Sequence, residues 1–368
     1  MKKVIILRSN PVSPDPRVEK EARALSLLGY EVVILAWDRT GELPKTTRNS
    51  DFVIHRLSAP APYGSLKIVF SLVRFNIWLM WRLLTSRYSY IHACDLDTGF
   101  AALLITKLRR KPLVYDMFDC YIEANADLLP SFTHKFVRQL EGFVVSLASA
   151  TIIVDDARRE QIADMKPRKL VVVYNSPEEV PQAQVSEKNK EKLNIFYAGV
   201  LAKNRGFTYL LKALSEVKDA EVTIAGFGAD EAYVMEECSR YSNITFIGKL
   251  SYQEVLEKSQ QADLLFALYD PAVPNHRYSS PNKLFEAMML GKPIIVSDKT
   301  GMSDKVEEYK NGLVVTYGST TELTSAVEKL ASVEVREKMS QNGKRAYQEV
   351  FSWKIMIDRL RELYQGLH

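Results

Sequence analysis

The stretch YSSPNKLFEAMMLGKPIIVSD, Tyr278 to Asp298, sets a serine and a proline just ahead of an apolar helix carrying Lys283 and Glu286. Ser280 is expected to cap that helix and Pro281 to take its first position. The first-turn amides, with Asn282 among them, then lack intrahelical acceptors. They and the helix dipole favour an anion by roughly 0.3–1 kcal/mol. Lys283 adds a full positive charge, so a diphosphate suits this turn. Glu286 lies three residues on, on the same face. A carboxylate is a poor neighbour for phosphate but a good acceptor for two adjacent hydroxyls, as in a ribose. Leu284, Phe285, Met288 and Met289 give the apolar side, and Gly291 ends the helix. On a generic helix the same charges form only a surface pair worth about 0.2–0.5 kcal/mol. A second cationic loop, VLAKNRGF, tips the balance. Gly199 before it permits close backbone approach, and Lys203 and Arg205 sit where the chain turns into a helix. In a third loop, AGFGAD, Gly226 begins a Gly-x-Gly that lets a base or sugar lie against backbone.

These loops need sheets to hold them. KVIILRS, YEVVILAWD, YSYIHACD, PLVYDMFD, ATIIVDD and KLVVVYN read as buried strands, with helical patterns between most of them. The polar segment SPEEVPQAQVSEKNKEK breaks this rhythm and reads as a linker. A second series follows: LNIFYAG, AEVTIAGFG, ITFIGKL, ADLLFAL, PIIVSD and GLVVTY. The expected fold is α/β, two doubly wound Rossmann-like domains facing each other across a cleft. The N-terminal domain is expected over 1–176, the linker over 177–192 and the C-terminal domain over 193–350. A terminal amphipathic helix, 351–368, with Trp353, Ile357, Leu360 and Leu363 on one face, is expected to pack back on the first domain. Ligands of such sheets bind outside the carboxyl ends of the strands.

The totals bound the function. With 368 residues the chain is long enough for two domains. A net charge of +4 is too mild for a nucleic-acid binder. Three scattered cysteines and five histidines show no metal-ligand spacing, so no metal site is expected, and free thiols suit a reducing cytoplasm. MKKVIILRSN reads as a first strand, its apolar run being too short for a signal-peptide core.

The pattern SPNKLFEAMMLGKPIIVSD together with YAGVLAKNRGFTYLLKAL resembles the donor domain of glycosyltransferase family 4, retaining enzymes of the GT-B fold. DPRVEKEARALSLLGYEVVILA, YIHACDLDTG and PLVYDMFDCY fall in that family's order, so the likeness covers nearly the whole chain. It implies transfer of a hexosyl or N-acetylhexosaminyl group from a nucleotide-diphosphate sugar, UDP-linked rather than GDP-linked, with no metal or other cofactor. Arg205 and Lys283 would neutralise the diphosphate, Glu286 would bind the ribose, and Gly248, Lys249 and Leu250 would border the base. The family's preceding Glu falls at Tyr278. Its usual cleft histidine is Phe118 and its usual Glu is Asp119, the residue expected to act in catalysis beside Arg205 and Lys283.

Asp95, Asp97, Asp116 and Asp119 stand at predicted strand ends, where they either orient an acceptor or cap loops. Arg17, in NPVSPDPR, either reaches into the cleft or forms a salt-bridged helix start. The region 66–87 is rich in Phe, Trp and Leu, with only positive charges. Arg74 and Arg82 argue against a membrane span. The helix reads as lying on an anionic bilayer, as a core helix with snorkelling arginines, or as both. The acceptor expected from this is lipid-linked or a glycan, at the inner face of the cell membrane. Two other readings share the nucleotide chemistry: a nucleotide-sugar epimerase and a non-catalytic partner subunit.

Overall fold

The computed structural model of the chain describes residues 1–61, 67–125, 129–181, 192–217 and 219–367. Leu66 and most of the expected linker, 182–191, lie outside the described residues. Two compact units are present: Met1–Tyr174 with Met356–His368, and Asn175–Ile355.

The first unit runs β1 (Lys3–Arg8), α1 (Pro16–Leu27), β2 (Glu31–Asp38), β3 (Thr46–Arg48), β4 (Phe52–Ser58), α2 (Lys67–Thr85) and β5 (Tyr90–Cys94). Next come α3 (Leu96–Arg109), β6 (Leu113–Met117), α4 (Tyr121–Asn125), α5 (Ser131–Leu147), β7 (Ala150–Ile153), α6 (Arg158–Gln161) and β8 (Leu170–Val172). The sheet order is β3-β4-β2-β1-β5-β6-β7-β8. Every pairing is parallel except β3 with β4, an antiparallel edge. Central strands such as Val4–Leu7 are almost fully buried, which is why they read as unbroken apolar runs.

In the second unit the order is β9 (Leu193–Val200), α7 (Phe207–Ser215), β10 (Ala220–Phe227), α8 (Glu231–Ser239), β11 (Ile244–Phe246), α9 (Tyr252–Gln261) and β12 (Leu264–Ala267). It continues with α10 (Asn282–Leu290), β13 (Ile294–Ser297), α11 (Gly301–Tyr309), β14 (Gly312–Val315), α12 (Thr320–Lys329) and α13 (Val333–Ala346). The order β11-β10-β9-β12-β13-β14 is parallel throughout. Leu210, Leu214, Ile224, Leu264 and Phe266 form its core.

Two boundaries differ from the sequence reading. The second unit starts at Asn175 because Asn175, Pro177 and Pro181 hydrogen-bond Ser280, Tyr347 and Gln260. The last helix, α14 (Trp353–Gln365), buries Trp353, Met356, Leu360, Leu363 and Tyr364; Met356, not Ile357, completes its apolar face. Tyr364 donates to, or accepts from, His92 Nδ1 at 2.8 Å inside the first unit.

Helix α2 covers most of the apolar, basic region 66–87. Ile68–Thr85 is long and apolar enough to cross a membrane by length and composition, despite Arg74 and Arg82. In this fold Phe75, Leu79 and Leu83 are buried, and Phe75 stacks on Trp37 at 5.5 Å.

Candidate active site

In the second unit, the carboxyl end of β9 brings Gly199 opposite Gly226 of β10. Their backbones are close: a Cβ on Gly226 would stand 2.0 Å from the Gly199 carbonyl oxygen. A Cβ on Gly199 would stand 2.4 Å from Lys283 Nζ, so the glycine makes the seat of that lysine. The ammonium lies 4.0 Å from the centroid of the buried Tyr197 ring, a cation–π contact. Burial first, then the nearby Arg205 charge, lowers the Lys283 pKa from 10.5 to about 7. Lys283 and Glu286 line one small cavity of about 20 Å³ with Ala198, Val255 and Ser259. Glu286 is buried and takes a hydrogen bond from the Tyr252 hydroxyl.

Helix α10 begins at Asn282, one residue later than the sequence suggests. Pro281 is the N-cap, with extended backbone (ψ 142°) and no side-chain cap. Ser280 therefore caps nothing: with the extended Pro281 at the N-cap, the serine stands one residue before the capping position. Its hydroxyl is buried without a hydrogen-bond partner among the described residues. The start of α10 thus offers uncapped amides, an unpartnered hydroxyl and Lys283.

Arg205 follows in a 3-10 turn, Lys203–Arg205. Its guanidinium lies 3.7 Å from the Tyr269 ring centroid and donates to His276 Nε2 at 3.1 Å. His276 Nδ1 lies 2.8 Å from the Asp270 carbonyl oxygen. A carbonyl only accepts, so Nδ1 carries the proton and Nε2 the lone pair that holds Arg205. Burial keeps the His276 pKa below its ordinary value, which preserves that neutral form. Lys203 is exposed and lines a separate cavity of about 300 Å³ with Gly206, Thr208, Asp230 and Tyr233. Gly248, at φ 74°, takes the left-handed geometry that glycine tolerates, and its carbonyl accepts from Gly226 N–H at 2.9 Å. Leu250, two residues on, is half-buried.

In the first unit the acidic residues separate by role. Asp116 is fully buried, pairs with Arg17 Nη2 (3.0 Å) and lies 3.2 Å from His92 Nε2. Burial opposes its charge, but Arg17 and His92 hold its pKa down at about 2. Arg17 also pairs with Glu21 and donates to the Val173 carbonyl, so it is an internal tie rather than an acceptor ligand. Cys94 joins His92 and Asp116 in a group whose potential ligand atoms lie within 4.8 Å. Burial pushes the Cys94 thiol well above its usual pKa, and the Arg17 cation already neutralises Asp116.

Asp95, at φ 59°, accepts from Phe118 N–H (2.9 Å) and from Arg8 (2.5 Å). Burial raises its pKa to about 6, against the pull of Arg8. Asp97 accepts from Ser9 and Tyr121 hydroxyls, both at 2.6 Å. The Phe118 ring meets two cations, Arg8 at 4.2 Å and Arg17 at 4.9 Å. Asp119 pairs with the buried Arg158 at 2.5 Å, while its side chain stays 45% exposed.

The family model Glycosyl transferase 4-like domain matches residues 14–176, and Glycosyl transferases group 1 matches 180–346. The chain belongs to the family-4 type of glycosyltransferases. It is 22% identical over 304 residues to alpha-D-kanosaminyltransferase of Streptomyces kanamyceticus, covering 75% of this chain and 77% of that protein. A match at 24% identity to an uncharacterized glycosyltransferase of Methanocaldococcus jannaschii covers 50% of this chain and 48% of that relative, about half its length. Sucrose-phosphate synthase from Thermosynechococcus elongatus aligns at TM-score 0.79 and 18% identity over 99% of this chain and 98% of the other. Anabaena HepE, solved in complex with UDP, aligns at 0.72 and 15% over the whole of both chains. The fold is GT-B.

For this glycosyltransferase the structure gathers Gly199, Gly226, Arg205, Lys283 and Glu286 at one end of the second sheet. It leaves Lys203 exposed, on its own cavity. It removes Arg17 and Asp116 from the acceptor set by burying them against each other. His276, Tyr197, Tyr269 and Arg8 were missed. No local pattern marks them, because each acts on a residue far along the chain.

Proposed function

We propose that the protein transfers a sugar from a UDP-sugar to an acceptor hydroxyl with retention of anomeric configuration, without a metal ion. The reading is carried by the start of α10, which offers amides without a side-chain cap, the buried, unpartnered Ser280 hydroxyl and the Lys283 cation. The diphosphate would lie against that turn, with Arg205 as the second cation and His276 and Tyr269 fixing its guanidinium. Glu286 would accept from the ribose hydroxyls; a carboxylate has lone pairs for these as well as for Tyr252. HepE, solved with UDP and with UDP-glucose, supports this choice of nucleotide.

As the bond from the anomeric carbon to the diphosphate breaks, charge grows on the leaving oxygen. Lys283, Arg205 and the amides stabilise it more in the transition state than in the ground state. The acceptor oxygen bonds the anomeric carbon from the face the diphosphate leaves, and its proton passes to the departing phosphate oxygen. No nucleophilic carboxylate is needed. Asp95, Asp97 and Asp119 remain the groups to orient an acceptor, proposed to be lipid-linked or a glycan. The donor group is proposed to be a hexose or N-acetylhexosamine. Three free, buried cysteines fit a reducing cytoplasm.

A thermal-shift screen of UDP- and GDP-sugars tests the donor site, since a true donor stabilises the folded form by mass action. Lys283→Ala and Glu286→Ala should each erase the shift; a shift that survives both places the nucleotide elsewhere. Retention is read from the anomeric configuration of the product, and metal independence from turnover in EDTA. One observation favours a second reading, a subunit that binds donor without transfer: at the family's cleft-histidine position Phe118 offers only a ring between two arginines. Calorimetric binding without product on any acceptor would support it.

A further inference from the structure

Helices α2, α3 and α5 pack side by side on the first unit, α2 on α3 and α3 on α5. Their inner sides are core: Phe75 and Leu79 of α2, Ala102 and Leu103 of α3, Val144 and Val145 of α5. Their outer sides are not the polar surface expected of solvent-facing helices. On α2, Phe70, Val73, Ile77 and Trp81 recur at spacings of three and four and are exposed. Phe100, Leu104 and Leu108 do so on α3, every fourth residue. On α5 the exposed apolar residues are Phe132, Phe136 and Phe143, with Phe132 84% and Phe136 65% accessible. Single exposed apolar residues are ordinary; three parallel stripes on adjoining helices form a patch of the kind that marks an interface.

The charges say which kind of partner. Arg74, Arg87, Lys107, Arg110, Lys111 and Lys135 are exposed on these helices or their ends. The three helices hold only two acids, Asp97 and Glu141. Glu141 is buried and accepts from Tyr115 and Cys120; Asp97 is taken up by Ser9 and Tyr121. No exposed carboxylate offsets the cations on these helices. Aromatic and aliphatic side chains among uncompensated lysines and arginines suit a surface that is apolar below and anionic above. Phe75, Leu79 and Leu83 of α2 are committed to the core, which leaves its outer side for the partner.

We propose that the outer face of α2, α3 and α5 docks flat on an anionic lipid bilayer, burying its aromatic stripes at the headgroup boundary. The proposal goes beyond the donor chemistry and does not depend on it. The full chain is mixed with vesicles of phosphatidylcholine alone or with phosphatidylglycerol added, and pelleted. Two variants accompany it: Phe70→Ser/Trp81→Ser/Phe136→Ser, and Lys107→Gln/Lys111→Gln/Lys135→Gln. All six positions are solvent-exposed, and thermal melting checks that each variant folds. The wild type should pellet with the anionic vesicles, less so at high salt, with blue-shifted tryptophan emission. The charge variant should partition roughly a hundredfold more weakly, from about 1 kcal/mol per cation, and the apolar variant should lose the emission shift. The proposal is overturned by failure to pellet with anionic vesicles, or by pelleting that neither variant weakens. It is also overturned if the protein is a dimer in sedimentation velocity and the apolar variant makes it a monomer, since a second copy then covers the face.

Discussion

Raising the pH should weaken donor binding steeply, with Lys283 as the cause. Burial and Arg205 hold its pKa at about 7 when the site is empty of anion. A bound diphosphate supplies the missing counter-charge and returns the value toward 10.5. Above about pH 7 the free amine is neutral, so binding must take up a proton. Affinity then falls about tenfold per pH unit, reaching about a hundredfold, or about 2.7 kcal/mol, near pH 9. A UDP-sugar is the right probe because its diphosphate has no titration in this range, whereas a terminal phosphate titrates near pH 6. Calorimetry at about pH 8, in buffers of different ionisation heat, should count about 0.9 proton taken up. Lys283→Arg, charged throughout this range, should abolish both the uptake and the slope. Uptake below about 0.2 proton with flat affinity would refute the reasoning. Stability follows the same linkage. The unfolded chain binds more protons at Lys283 between about pH 7 and 10.5, so without donor this group makes stability rise with pH across that window. Saturating UDP-sugar should flatten that rise.

Gly199→Ala should displace Lys283, whose flexible end lies 2.4 Å from the new methyl, and cut UDP-sugar affinity about tenfold or more; at φ 158° the new side chain is also strained, so Tm should fall as well. Gly226→Ala meets backbone instead, 2.0 Å away, and should cost stability, about 1–3 kcal/mol in urea unfolding. His276→Ala removes the acceptor that fixes Arg205 and should lower kcat/KM by about 10- to 100-fold, with His276→Gln recovering part of it. Tyr364→Phe leaves His92 Nδ1 buried without its partner and should cost about 1–3 kcal/mol in chemical denaturation.

The sheets were legible because their strands are covered on both faces and read as unbroken apolar runs, as in KVIIL and IIVS. The short edge strand Thr46–Arg48 was not, since exposed threonines and an arginine carry no burial signal. Lys283 and Glu286 were legible because both stand on one helix, where spacing fixes the face. Ser-Pro satisfies the same composition rule as Asp15-Pro16, which does cap its helix, but α10 starts one residue later and puts Pro281 at the N-cap; composition does not fix that register. Arg8 and Arg17 were beyond reach for another reason. Which arginine is buried against which aspartate depends on strand order, and Asp95 and Asp116 lie 87 and 99 residues from their partners. The Arg205–His276 pair, 71 residues apart, is hidden in the same way.

Tyr364 touches Tyr30, Tyr90 and His92, residues translated more than 270 positions before it. During synthesis the first unit therefore emerges with an aromatic socket that stays unfilled while the entire second unit is made. The first half stays unsealed until α14 has been translated.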